Sequence, residues 1–237
     1  MKRFFHGSIL GAVCASALVA IAAAGPAWAL DPGKAPSWPD SFATRLEALA
    51  ILQSLNAELL SNPSATLTLD RWCAAHRLAP AGSKITAERV RGQDKAADAG
   101  IRDILKAGAG EPVAYRRVRL RCGDRVLSEA DNWYVPGRLT ADMNRQLDTT
   151  DISFGRVVQP LGFSRTTLSA TLLWRPLPEG WEMAPRPAVP AGATLAMPAF
   201  LLEHRAVLKS SDGTPFSALV ETYTSEVLDF PAPGGPD

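Results

Sequence analysis

The sequence predicts an α+β domain with an antiparallel sheet. Two observations lead there. Apolar residues recur at three- and four-residue steps early in the chain, which marks helices; later they alternate in segments joined by short Gly/Asp turns, which marks hairpins. No internal repeat interrupts the pattern. The chain has 237 residues, 46% hydrophobic and 21% charged, with 25 Lys+Arg against 24 Asp+Glu. This balance points to neither disorder nor a collagen-like fibre nor charge-steered nucleic-acid binding.

Residues 1–29 carry Lys2 and Arg3, an apolar run of small side chains, and Ala27-Trp28-Ala29, the small-residue pattern of a secretory cleavage site. The reading is a signal peptide cut near Ala29 and a periplasmic or secreted product. No stable membrane span is expected, because the apolar run is Ala-rich, is interrupted by Gly11, and falls short of the roughly twenty residues a bilayer span requires. Cleavage also removes Cys14, leaving Cys73 and Cys122. Such a pair in an exported protein forms a disulfide or stays as two buried thiols, and the sequence leaves both open. Residues 30–40 read as a Pro-rich leader, 41–230 as the folded domain and 231–237 as a disordered tail.

Within the domain, Phe42, Leu46, Leu49, Leu52, Leu55 and Leu59 share one helix face, and Asn62-Pro63 ends the helix. A second helix takes Thr68 as its cap and runs through LDRWCAAHRL, stopping before Pro80. ITAERV is a strand, followed by a helix from about Lys95 to Leu105. VAYRRVRLRC (113–122) and VLSEADNWYV (126–135) are the arms of a hairpin around Gly123-Asp124-Arg125, and Pro136 stops the second arm. Leu139 to Leu147 is helical, and SRTTLSATLLW (164–174) is a strand. Six prolines from Arg175 through Pro198 impose a long irregular connection, either over a site or simply across the surface. AFLLEHRAVLK and TPFSALVETYTSEV close the chain as a hairpin through Ser211-Asp212-Gly213.

Alternation puts Arg116, Val118, Leu120 and Cys122 on one face of the first hairpin arm, and Tyr115, Arg117, Arg119 and Arg121 on the other. The first face is the core. An arginine at the end of a core stripe is costly unless it meets a carboxylate or an anionic ligand. On the opposite face a three-residue turn sets Arg117 across from Asp131 and Arg119 across from Glu129, as surface pairs. Glu221 sits among apolar neighbours on either assignment of the last strand. It pairs with a sheet arginine such as Arg116 or Arg205, or it serves a ligand hydroxyl. The chain holds no G-x-S-x-G, P-loop or G-x-G-x-x-G. His76, His204 and the two cysteines follow no zinc spacing, so neither metal nor cofactor is expected.

Four pieces occur in order over most of residues 45–228: LLSNPSATL, YRRVRLRC with its hairpin ending in WYVP, DISFGRVV and SDGTPFSALVE. The arrangement resembles the chorismate–pyruvate lyases and the related ligand-sensing domains of bacterial transcription regulators. The resemblance implies a chorismate lyase-like fold: a single antiparallel sheet of about six strands with helices packed over one face, closing an internal cavity against it. It implies one of two uses for that cavity: elimination of pyruvate from chorismate to give 4-hydroxybenzoate, without metal or cofactor, or binding of a small aromatic or other carboxylate without turnover. Its carboxylate-binding arginine falls on Arg117 by ungapped counting back from Tyr134-Val135-Pro136, or on Arg116 by the face argument. Glu221 would contact the ring hydroxyl, while Phe154 beside Gly155, and Ala65 or Thr66, would cradle the ligand with backbone groups. Asp131 stands where the family has a cavity-lining glycine. The partner implied is a small carboxylate, with no nucleic acid, and the chain is expected to be a monomer.

Overall fold

A six-stranded antiparallel sheet forms the frame, in the order β1-β2-β3-β6-β5-β4. The structure, a computed structural model, describes residues 37–234, so the signal peptide and most of the leader lie outside the described residues. The strands are β1 (Thr86–Val90), β2 (Ala114–Cys122), β3 (Arg125–Tyr134), β4 (Ser164–Leu172), β5 (Phe200–Lys209) and β6 (Pro215–Thr224). The helices are α1 (Phe42–Ser61), α2 (Ala65–Ala75), α3 (Ala99–Leu105), α4 (Ala141–Thr149) and the single turn α5 (Phe154–Val157).

α1 starts at Ser41, whose hydroxyl accepts the Thr44 N–H at 3.0 Å, and it buries Ala48, Leu52, Leu55 and Leu59. Each of these leucines contributes about 2 kcal/mol by leaving water. They pack with Leu69 and Trp72 of α2 and with Val118, Leu120, Leu127 and Tyr223 of the sheet. α4 and α5 extend the same layer through Met143, Leu147, Phe154 and Val157, which pack on Tyr134, Phe216 and Leu219. α3 lies against the other face, where Leu105 and Ile101 meet Trp133, Val135 and Ala218.

Two helix starts differ from the sequence reading. Ser64, not Thr68, caps α2: its hydroxyl accepts the Leu67 N–H at 3.4 Å, whereas Thr68 sits inside the helix and donates its own hydroxyl to the Ser64 carbonyl. α3 begins at Ala99, because Asp98 caps it by accepting the Ile101 N–H at 2.8 Å. The first hairpin also turns differently. Cys122 pairs with Arg125, so only Gly123 and Asp124 form the turn, with Gly123 at φ +57°. One extra residue, Leu127, is then bulged into β3. The shorter turn and the bulge cancel, and Arg117 still faces Asp131 while Arg119 faces Glu129.

Order begins before Ser41. Trp38 is buried and donates its indole N–H to the Phe230 carbonyl at 2.7 Å, and the Leu195 N–H is donated to the Trp38 carbonyl at 2.8 Å. The proline-rich connection thus runs beside the start of α1, burying Leu177 and Leu195. Cys73 of α2 and Cys122 of β2 form a disulfide, their Cα atoms 6.3 Å apart and both side chains buried. It ties the helix layer directly to the sheet. No helix among the described residues is long and apolar enough to cross a membrane.

Candidate functional site

Between the helix layer and the sheet lies a cavity walled by Val118, Leu120, Ala130, Leu208 and Leu219 from the strands and by Phe154 and Phe163 from the connection preceding β4. Its room for water centres is about 40 Å³, against the 10–15 Å³ or so that one water needs. The ionisable side chains lining it are Arg116, Arg165 and Glu221.

Arg116 reaches this place because β2 alternates and its apolar stripe faces the helices. The residue is only 2% exposed. Its Nη2 donates a long hydrogen bond of 3.4 Å to the Ile152 carbonyl, while Nε and Nη1 are buried with no partner among the described residues. No salt bridge to Arg116 occurs among the described residues. Burial without a counter-charge pulls its pKa down to about 10, with Arg89 adding a smaller push in the same direction. Buried donors are almost always satisfied, so two orphans on one guanidinium lining a cavity leave it free to accept an anion.

The far end of the cavity belongs to Glu221. β3 separates its strand from that of Arg116, and the register sets the two residues two positions apart along the sheet. At standard strand spacing their Cα atoms lie about 12 Å apart. The Glu221 carboxylate accepts from Arg165 Nη2 at 2.7 Å and from the Tyr223 hydroxyl at 3.2 Å. Burial opposes the Arg165 charge, yet the neighbouring Glu221 outweighs it and holds the guanidinium above its ordinary value. Burial, reinforced by Glu221, raises the Tyr223 phenol well above its ordinary value. His204, directly across from Glu221 on β5, donates from Nε2 to Asn56 Oδ1 at 2.8 Å. Desolvation lowers its pKa to about 4, against the pull of Glu221, so the ring is neutral at pH 7. One positive charge therefore remains unmatched in the cavity.

Two chain segments close the top. The start of α2 contributes Ser64, Ala65 and Thr66, and α5 contributes Phe154 and Gly155. The N–H groups of Ala65 and Thr66 belong to the first turn of α2, where no carbonyl of the helix itself accepts them. The segments touch at Gly155: a Cβ there would stand 3.0 Å from Ser64 Oγ and 3.5 Å from Thr66 Oγ1. Only a glycine lets them meet this closely.

The structure thus brings together Arg116, Glu221, Phe154, Gly155, Ala65 and Thr66. It places Arg117 and Asp131 elsewhere, which corrects two assignments. Both lie on the opposite face of the sheet, lining a groove there. Arg117 donates to Glu129 at 2.7 Å and keeps Asp131 at 3.8 Å, while Asp131 is bonded by Lys95 and the Tyr115 hydroxyl. Asp131 therefore does not face the cavity, and its neighbour Asn132 does. Glu221 does pair with a sheet arginine, but with Arg165 rather than Arg116 or Arg205. Arg165, Asn132 and Ser64 were not singled out in the sequence. No such signal marked Arg165, because Thr167 and Ser169, which alternate with it along the strand, are polar, whereas the residues that share the face of Arg116 are apolar.

The chain is thus an α+β domain whose antiparallel sheet and covering helices hold a cavity that carries an unpaired guanidinium. No protein-family model matches the chain. A protein of Sinorhizobium fredii (strain NBRC 101917 / NGR234), "Uncharacterized protein y4mC", is 62% identical over 216 residues and 91% of each chain, and the chain belongs to its family. Among solved structures, PhnF from Mycobacterium smegmatis is similar at TM-score 0.45 and 14% identity, over 86% of this chain and 95% of that one. The effector domain of the same protein is similar at TM-score 0.42 and 15% identity, over 69% and 90%.

Proposed function

We propose that this protein binds a small monocarboxylate with a flat apolar body, held by Arg116 inside the cavity. The observation that carries the reading is the buried Arg116 guanidinium with two donors lacking partners. A carboxylate takes both in the two-pronged geometry that guanidinium favours, and the dry site strengthens the contact. The net charge of the lining is matched by one negative charge. Aromatic and branched walls suit a ring. The reading is tested by the melting temperature of the protein with benzoate and 4-hydroxybenzoate: a ligand at a hundredfold its Kd adds about 2.7 kcal/mol, which Arg116→Met abolishes. The absence of any shift with either acid at millimolar concentration overturns it.

A second reading is turnover of chorismate. It is favoured by the joint presence, around one cavity, of Arg116, Glu221, Phe154-Gly155 and the Ala65-Thr66 backbone. In that reading the substrate loses its side chain as pyruvate while the ring becomes aromatic, Arg116 holds the ring carboxylate, Glu221 positions the ring oxygen and the closed segments exclude water. Incubation with chorismate, following 4-hydroxybenzoate and pyruvate, decides it; no product at high protein concentration ends this reading and leaves the binding one. We also read the chain as exported. The basic head, apolar run and Ala27-Trp28-Ala29 site support this, and so does the Cys73–Cys122 disulfide, a bond that persists in oxidising compartments.

A further inference from the structure

We propose that Asp70 and Arg156 are positioning residues, an ion-pair latch across the seam at Gly155 that sets how fast a ligand enters and leaves the cavity. The inference rests on the carboxylate-binding reading and extends it from what is bound to how it gets in. Arg116 is 2% exposed, so an acid with a ring reaches it only when part of the wall moves. The strands are held by their ladders. α2 is fixed to the rest of the domain by the Cys73–Cys122 disulfide and by the Trp72 indole N–H, which donates to the Val227 carbonyl at 2.9 Å. The stretch from Asp151 through α5 carries no cysteine and is held by packing and hydrogen bonds. Phe154 and Val157 pack in the cluster with Tyr134 and Phe216, the Asp151 carbonyl accepts the Ala87 N–H at 2.8 Å, and the Ile152 carbonyl takes the long bond from Arg116. The part of the wall that touches Arg116 is therefore the part best able to move.

Arg156 ties this stretch to α2. Its Nη2 donates to one Asp70 oxygen and its Nη1 to the Ile85 carbonyl at 3.2 Å, while the other Asp70 oxygen accepts the Ile85 N–H at 2.7 Å. One guanidinium, one carboxylate and one backbone residue thus join α5, α2 and the chain entering β1. The Asp70 side chain is 10% exposed and that of Arg156 29%, so this charge-assisted pair is partly sheltered and holds better than an open surface pair. Arg156 follows Gly155 directly, and Asp70 lies about one turn along α2 from Thr66, whose hydroxyl a Cβ at Gly155 would approach. Gly155 lets the two segments come close but has no side chain to bond them; the ion pair resists their separation. Parting the seam breaks the pair both on entry and on exit, so losing the pair lowers the barrier in both directions. A change that merely loosened the closed state would speed dissociation without speeding association.

The test is surface plasmon resonance on the whole chain with benzoate and 4-hydroxybenzoate as probes, read as separate association and dissociation rates. Asp70→Asn keeps an oxygen for the Ile85 N–H while removing the charge that Arg156 meets, and Arg156→Gln removes the cation. Each should raise both rates by about tenfold, the scale of one charge-assisted hydrogen bond. The double variant should be no faster than either single one, because both remove the same interaction. Arg156→Lys, which keeps the cation, should stay within about threefold of the unaltered protein. Either single variant carries the test if the other does not fold. Unchanged rates in a folded variant, a rise in dissociation alone, or effects that multiply in the double variant overturn the latch and leave the carboxylate site standing. Failure of the unaltered protein to bind either acid overturns both.

Discussion

Arg116→Met should make the empty protein more stable while removing its ligand response. The drop from the ordinary arginine value to about 10 corresponds to about 3 kcal/mol of disfavoured charge at roughly 1.4 kcal/mol per tenfold change. The sign follows from proton linkage. The unfolded chain holds the proton more tightly than the folded one, so below pH 10 or so the folded state carries the full penalty, and the penalty shrinks as pH rises through that value. Methionine fills similar space without the charge, and the one bond it forfeits, to the Ile152 carbonyl, is long at 3.4 Å. For a domain of this size 3 kcal/mol is about 6–12 °C in Tm, and about 3 °C or more if water in the cavity relieves part of the penalty. The assay is thermal unfolding at pH 7 by circular dichroism, with and without 4-hydroxybenzoate. A Tm that falls while the far-ultraviolet spectrum is unchanged would refute the reasoning, since it would mean that the guanidinium is paired within the protein and is not held in readiness for an anion.

Three further outcomes follow from neighbouring features. Replacing Cys73 and Cys122 by serine opens a loop with a sequence separation of 49 and should lower the urea unfolding free energy by about 2–4 kcal/mol; an unchanged midpoint would show that the bridge adds no constraint. His204, held neutral with its pKa lowered to about 4, accepts a proton in the unfolded chain before the folded one. Stability should therefore fall progressively from about pH 6.5 to 4, by up to about 3 kcal/mol, and His204→Gln should flatten that slope in a Tm-against-pH series. Gly155→Ala should push the two closing segments apart, since its Cβ would lie 3.0 Å from Ser64 Oγ. We expect a loss of about 1 kcal/mol in stability and at least tenfold in affinity for 4-hydroxybenzoate, measured by calorimetry; unchanged affinity would separate the closing segments from binding.

Periodicity alone carried the fold far, because strand alternation and hairpin turns are local properties that tertiary packing reinforces. It located α1 from its Leu52, Leu55 and Leu59 stripe, the β2–β3 and β5–β6 hairpins, and the inward face of β2 that holds Arg116. It failed where two local signals compete. Ser64 and Thr68 are both acceptable caps, and what decides between them is that the Ser64 segment must close over Gly155, a contact across 91 positions of chain. Counting back from Tyr134 favoured Arg117 because an ungapped count carries no information about which way a residue points, whereas alternation does.

The partner of Glu221 was hidden for a deeper reason. Arg116, Arg165 and Arg205 are each a cation on a strand, and pairing among them depends on strand order as well as on face. β5 lies between β4 and β6, so Arg165 must reach across it to touch Glu221. Arg205, on the intervening strand itself, is directed to the other face and bonds Glu203. Arg116, two strands away on the far side of β3, is left without any carboxylate. The same geometry makes one arginine structural and the other available. Arg165 also lies two strands from Glu221 and yet reaches it, so it is the pairing of Glu221 with Arg165 that leaves Arg116 without a counter-charge, and hairpin periodicity encodes neither the strand order nor that pairing.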